Sequence, residues 1–236
     1  MKVVFYTFFN SKLDIDYSIN TKSFHKLIIF YCYKPPKNIL KNSNNVSLVN
    51  TNIFEELNNN DDFFISRAIK FNPWKYIKTS FDNFVYFDYR IRISKKFIDL
   101  TPNLNGLYFF KHREGGNLKN EIFRLIVRNK ISLDHLIYFL SNFKNFNNLP
   151  LTENGVFVVN KKLIKSHSKM TLFFKKINRD QILTPIFHKD EKINFFKFRL
   201  DNILYFHVRP KKLTLLNYLK LFVRGFLFNI IRYWKK

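Results

Sequence analysis

Charge and aromatic content constrain this chain more than any motif. It holds 41 Lys and Arg against 17 Asp and Glu, a formal net charge of +24, together with 30 Phe in 236 residues. Charge of that size destabilises a compact state by self-repulsion, yet a hydrophobic content of 46% excludes wholesale disorder. The chain is therefore expected to build a core and to meet a polyanion, of which nucleic acid is the commonest. Lys outnumbers Arg, and Ala68 is the lone alanine. Phe, Lys, Asn, Ile and Tyr belong to A/T-rich codons. Part of the aromatic content thus reads as drift in an A/T-rich genome, such as an organelle's, and not as chosen stacking platforms.

The length suits one or two domains with their own cores. Cys32 is alone, which excludes an internal disulfide or a Cys-based zinc site and argues against a secreted fold. The N-terminus lacks the layout of a signal peptide and of an Arg/Ser-rich presequence, so a protein encoded inside a mitochondrion and working in its matrix is expected. The best candidate membrane span, Leu213–Trp234, is interrupted by Lys220, Arg224 and Arg232. Such charges cost roughly 2.5–3.5 kcal/mol each near a bilayer centre, so no span is expected.

Charge rises along the chain. Residues 1–100 hold 15 basic and 9 acidic side chains, and residues 101–236 hold 26 and 8. The Asn- and Ser-rich stretch Lys37–Asn60 after Pro35-Pro36 reads as an exposed loop or insertion. Alternation over Phe84–Phe97 predicts a strand. Apolar spacing predicts helices over Glu121–Val127 and Leu133–Leu140, the second capped by Ser132. Asn154-Gly155 reads as a turn, Val156–Val159 as a strand, and Asp180–Ile186 as a further short strand. Phe195–Arg209 reads as extended, and the tail from Leu213 as a basic amphipathic helix.

The stretch Asn120–Ile182 resembles small-subunit ribosomal protein four. Ser132-Leu133-Asp134-His135-Leu136-Ile137-Tyr138-Phe139-Leu140 stands where that family's RNA-binding module reads R-L-D-N-x-L-Y-x-L. Gly155-Val156-Phe157-Val158-Val159-Asn160-Lys161-Lys162-Leu163-Ile164 matches its G-x-I-x-V-N-G-K-x-V at nearly the same spacing. Asp180-Gln181-Ile182 fits the closing D-x-I. A more literal match, Arg199-Leu200-Asp201-Asn202-Ile203-Leu204-Tyr205, has too little chain after it for the module. Departures are Ser132 for the family's Arg, His135 for its Asn, and Pro150 where its second helix runs.

The resemblance implies an α+β fold: a helical region around a small two-helix, short-sheet RNA-binding module, with a lineage-specific N-terminal extension. The divisions are 1–105 for the extension, 106–129 for a helical lead-in, 130–186 for the module and 187–236 for a basic C-terminal segment. It implies a structural, non-enzymatic part of a mitochondrial small ribosomal subunit, binding small-subunit rRNA beside small-subunit protein five. The candidate RNA-binding residues are Arg124, Arg128, Lys130, Lys144, Asn160, Lys161, Lys162, Lys165 and Lys169. The rivals are a divergent subunit of an inner-membrane respiratory complex and an RNA-modifying enzyme carrying the same module. The six His show no metal spacing such as H-x₃-H and read as surface or RNA-facing. Asp61-Asp62 reads as a solvated pair on a loop. No cofactor, metal or catalytic signal is found.

Overall fold

The first strand, β1 (Val3–Phe9), is buried at all seven positions. A run of this kind, apolar except at Thr7, marks a strand covered on both faces. The computed structural model describes residues 1–12, 23–37, 39, 44–78, 80–112, 117–127, 130–144, 146, 148–174, 177, 179–196 and 204–205. Parallel partners follow β1 as β2 (Leu27–Tyr31) and β3 (Val46–Asn50). Two helices come next, the short α1 (Glu55–Asn58) and α2 (Asp62–Phe71). Asp61 caps α2 by accepting a hydrogen bond from the Phe64 amide at 2.7 Å. Its apolar residues Ile65, Ala68 and Ile69 lie on one face and are buried. Asn72-Pro73 ends it.

Strand β4 (Asn83–Phe87) then pairs with β1 on the side opposite β2. A short β5 (Ile91–Arg92) and helix α3 (Lys95–Leu100) lead to β6 (Leu107–Lys111). Helices α4 (Leu118–Val127) and α5 (Leu133–Asn142) follow, and then the long β7 (Thr152–Asn160). Helices α6 (Ile164–Lys169) and α7 (Asp180–Phe187) precede β8 (Ile193–Phe195), and β9 (Leu204–Tyr205) pairs with β5. The main sheet has seven strands in the order β3-β2-β1-β4-β7-β6-β8, and β7 alone runs against the rest.

Helices cover both faces. Tyr6, Phe30, Phe84, Tyr86 and Phe157 face α2, α4, α5 and α7 in one layer. Phe5, Phe9, Val85, Phe87 and Val158 face α3 and Phe196 in the other.

This architecture overturns the expected fold. Residues 1–105 are not an extension: β1, β2, β3 and β4 form the parallel half of the sheet, and β4 pairs directly with β7. The helices expected over Glu121–Val127 and Leu133–Leu140 are present, the second capped by Ser132, which accepts from the His135 amide. Val156–Val159 is a strand, but a central one in a large sheet and not part of a two-helix module. Asn154-Gly155 is no turn; it lies inside β7, where pairing with β6 shifts register between Phe109 and Phe110. Asp180–Ile186 is helical, with Ile182, Leu183 and Ile186 buried. Phe84–Phe97 is divided between β4, β5 and the start of α3. Within Lys37–Asn60 lie β3 and α1, so the segment is not a plain loop. The expected C-terminal amphipathic helix lies outside the described residues.

Candidate functional site at the carboxyl edge of the sheet

After β1 the chain moves outward to β2 and β3, then returns to lay β4 against the other side of β1. The strand order thus reverses between β1 and β4, and the switch point beyond their carboxyl ends is where a sheet of this kind forms its crevice. In open α/β sheets this is where ligands bind. Asn10, Ser11 and Lys12 follow β1, and Asp88, Tyr89 and Arg90 follow β4. Tyr6 stands opposite Tyr86 in the parallel register, so two residues on Phe8 comes level with Asp88.

Asp88 is partly exposed, and its Oδ1 accepts a 2.5 Å hydrogen bond from the Tyr86 hydroxyl. Burial, reinforced by the Asp88 charge, pushes the Tyr86 phenol well above its ordinary pKa, so it stays a donor. Beside Asp88, the Tyr89 ring packs on Phe9 with centroids 5.0 Å apart. Arg90 is exposed, and its guanidinium lies 5.1 Å from the Tyr89 ring centroid. At the end of β1, Lys12 Nζ sits 4.8 Å from the Tyr33 ring centroid, and the Tyr33 hydroxyl donates to Asp62 at 2.6 Å. That bond, with help from burial, pushes Tyr33 up to about 12.

Beneath the crevice lies a buried ionic cluster. Lys70 Nζ bonds Asp180 Oδ2 at 2.8 Å and lies 4.7 Å from the Tyr86 ring centroid. Arg67 approaches the other oxygen of Asp180 at 3.7 Å, and its charge also acts on Tyr86. Burial alone would raise the Asp180 pKa. The charges of Lys70 and Arg67 and the Lys70 hydrogen bond outweigh it and hold the carboxyl well below the usual range. The Tyr6 hydroxyl donates to the Lys70 carbonyl at 2.7 Å, which fixes α2 on β1. A buried ion pair next to a crevice is a typical setting for a functional site.

The basic residues expected to bind RNA do not gather here. Asn160 is buried, and its Nδ2 donates to Asn83 Oδ1 at 2.9 Å. Lys161 pairs with Asp82 at 2.6 Å, and Lys162 is exposed beside it. All three sit at the end of β7, the sheet edge opposite the crevice. Lys165 and Lys169 are exposed on α6, and Lys144 is exposed just past α5. Arg124 pairs with Glu121 at 3.1 Å on α4, Lys130 is exposed, and Arg128 lies outside the described residues.

Two histidines expected at the surface, His167 and His188, are fully buried and meet at 2.9 Å. Their 21-residue separation fits no spacing rule. Asp61 and Asp62 are also engaged, as helix cap and as Tyr33 partner.

No family model and no curated protein matches the chain. Solved structures of broadly similar shape include the synthase of 4-diphosphocytidyl-2C-methyl-D-erythritol from Anaerococcus prevotii. It is 14% identical with a TM-score of 0.48, over 96% of this chain and 98% of that one. The apo bifunctional glycosyltransferase WbbM gives 13% and 0.47 over 94% of this chain, which spans 44% of WbbM. The galactosyltransferase LgtC with donor and acceptor sugar analogs gives 14% and 0.45, over 83% and 73% of the two chains. Likeness at this level concerns the general α/β arrangement and assigns no activity.

The ribosomal reading does not survive the fold. The residues that carried the resemblance are a central strand and two helices of a seven-stranded sheet. rRNA and small-subunit protein five therefore fall as expected partners. The expectation of a non-enzymatic role rested on the same resemblance and falls with it. The respiratory-complex rival gains nothing either: among the described residues, no helix is long and apolar enough to cross a membrane.

Proposed function

We propose that this chain is an enzyme that binds a nucleotide-activated substrate in the crevice between the ends of β1 and β4 and transfers the activated group. The observation that carries the reading is the reversal of strand order between β1 and β4. Lys12 and Arg90 offer cationic groups for a diphosphate at the crevice mouth. Asp88 has one oxygen engaged by Tyr86 and the other able to accept from a hydroxyl of a ribose or a transferred sugar. Arg67, Lys70 and Asp180 form a pre-set charged floor that needs no reorganisation when charge develops on a leaving diphosphate. This basic crevice also gives part of the net positive charge a small polyanion to meet.

Equilibrium binding of uridine, cytidine, adenosine and guanosine diphosphates, followed by product analysis with the matching nucleotide sugars, tests the reading. One base is expected to bind in the micromolar range. Asp88→Asn and Arg90→Ala should each weaken binding about tenfold or more, and Lys75→Ala, remote on the 3₁₀ turn Pro73–Lys75, should not. Absence of binding by all four at millimolar concentration would refute it.

A further inference from the structure

Helix α7 is fastened at both ends. Its first residue, Asp180, meets Lys70 and Arg67. The residue after its last, His188, meets His167 of α6. Between them Asn154 Nδ2 donates to Thr184 Oγ1, which in turn donates to the Asp180 carbonyl. At the His end, His167 Nδ1 and His188 Nε2 lie 2.9 Å apart, and the rings stack at 29° with centroids 5.1 Å apart. One proton fits between those nitrogens: whichever nitrogen holds it, the other must present a lone pair. On the far side, His188 Nδ1 lies 2.5 Å from Glu191 Oε2, and Ser166 also bonds Glu191. His167 Nε2 has no hydrogen-bond partner among the described residues. The rings of Phe71, Phe157 and Trp74 enclose His167, with centroids 5.1, 5.1 and 6.0 Å away.

We infer that the His167–His188 contact is a one-proton latch that holds α7, and with it Asp180, in place against Lys70 and Arg67, and that acidification opens it. When both rings carry two protons, two N–H groups face each other across 2.9 Å and the contact turns repulsive. The charged groups around the pair are Lys70 from α2, Glu191 after α7, and Lys169 at the end of α6, which acts on Glu191. Lys70 opposes a further positive charge on His167. Burial first, then His188 and Lys70, hold His167 well below its ordinary value of 6.5. The neutral ring is thus favoured in the closed state, and the open state takes up the proton first. The latch holds fully above about pH 6.5 and weakens as the pH falls below it. His167 is in this sense a positioning residue. The effect on ligand binding rests on the crevice reading above; the latch itself does not.

Amide hydrogen exchange on the full chain, corrected for intrinsic rates and followed from about pH 7.5 to about pH 5, tests the latch. The amides of Ile182–Phe187, Pro185 apart, are expected to lose protection at least about tenfold more than those of β1. His167→Asn keeps a donor near the Nδ1 position but does not titrate, and should abolish that step. Glu191→Gln keeps an acceptor for His188 Nδ1 and leaves the His167–His188 contact in place, and should retain the step. Parallel behaviour of α7 and β1 in the natural chain, or the same step in both variants, would overturn the latch. Nucleoside-diphosphate binding over the same pH range separates the two readings. A step in α7 with no binding at any pH sinks the crevice alone, and binding with no step sinks the latch alone.

Discussion

The two layers that sandwich the sheet are built from different materials. On the α2–α7 side the packing of Tyr6, Phe71, Phe157 and Ile182 surrounds Lys70, Asp180, His167 and His188, all buried. On the α3 side Phe5, Phe9, Phe87, Phe97 and Phe110 enclose only neutral polar groups among the described residues, notably Thr7, Asn83 and Thr101. Asn83 donates to the carbonyls of Thr101 and Leu104 and accepts from Asn160, so it closes the sheet edge and does no more. Both layers supply apolar burial. Only the first also bears the desolvation cost of charges, and that layer is the one under the crevice. Buried ion pairs are weak evidence for stability, because well-packed apolar replacements are often as stable or more so. Their concentration on one side therefore points to a task beyond holding the fold.

The largest effect expected from this contrast is in Lys70→Met, which leaves Asp180 buried with no hydrogen-bonded cation and only the longer 3.7 Å Arg67 contact. It should cost about 3–5 kcal/mol in urea unfolding. Lys70→Met with Asp180→Leu should recover most of that loss while still abolishing ligand binding. A double variant as damaged as the single would mean that the pair is structural after all. In the other layer Ile98→Ala should cost about 2–5 kcal/mol through the lost side chain and the cavity left behind. That cost should be the same at pH 7 and pH 5, since among the described residues no titratable side chain is buried in that layer; a pH-dependent cost would blur the distinction between the layers.

Among buried groups, acid should act on those of the first layer. Asp180 has its pKa depressed in the folded state, so its contribution is complete above its ordinary value of 3.8 and is lost as the pH falls below that. The urea midpoint of the Lys70→Met, Asp180→Leu variant should accordingly fall less between about pH 5 and about pH 3 than that of the natural chain. Asn160→Ala, at the closed edge, should cost about 1–3 kcal/mol by leaving Asn83 short of a partner. The smallest effect on stability is expected for Asp88→Asn, within about 0.5 kcal/mol, because Tyr86 can donate equally to an amide oxygen. Its effect on ligand binding should nonetheless be among the largest.

Local elements were legible. Ser132 followed by Leu133, Leu136, Ile137 and Leu140 specified a capped helix, and Val156–Val159 specified a strand. Both are equally at home in a small RNA-binding module and in a large sheet, so their presence could not choose between the two. Signals for the larger sheet are also present in the sequence. Val3–Phe9, broken only by Thr7, and Leu27–Tyr31 are apolar runs of strand length, the pattern of strands buried on both faces. In Asp180–Phe187 the spacing of Ile182, Leu183 and Ile186 was helical, with Pro185 obscuring it.

The sequence by itself determined the helices over Glu121–Val127 and Leu133–Leu140, the strand at Val156–Val159, and that the product is strongly basic. These are short-range matters of periodicity, capping and composition. Strand order, and with it the site, was decided only by the tertiary structure. β4 meets β7 through Asn83 and Asn160, 77 residues apart, and Lys70 meets Asp180 across 110 residues. His167 and His188 face each other because α6 and α7 pack on one side of one sheet. Pairings of that range leave no local pattern, since which strand lies beside which depends on how all the apolar faces can be buried together.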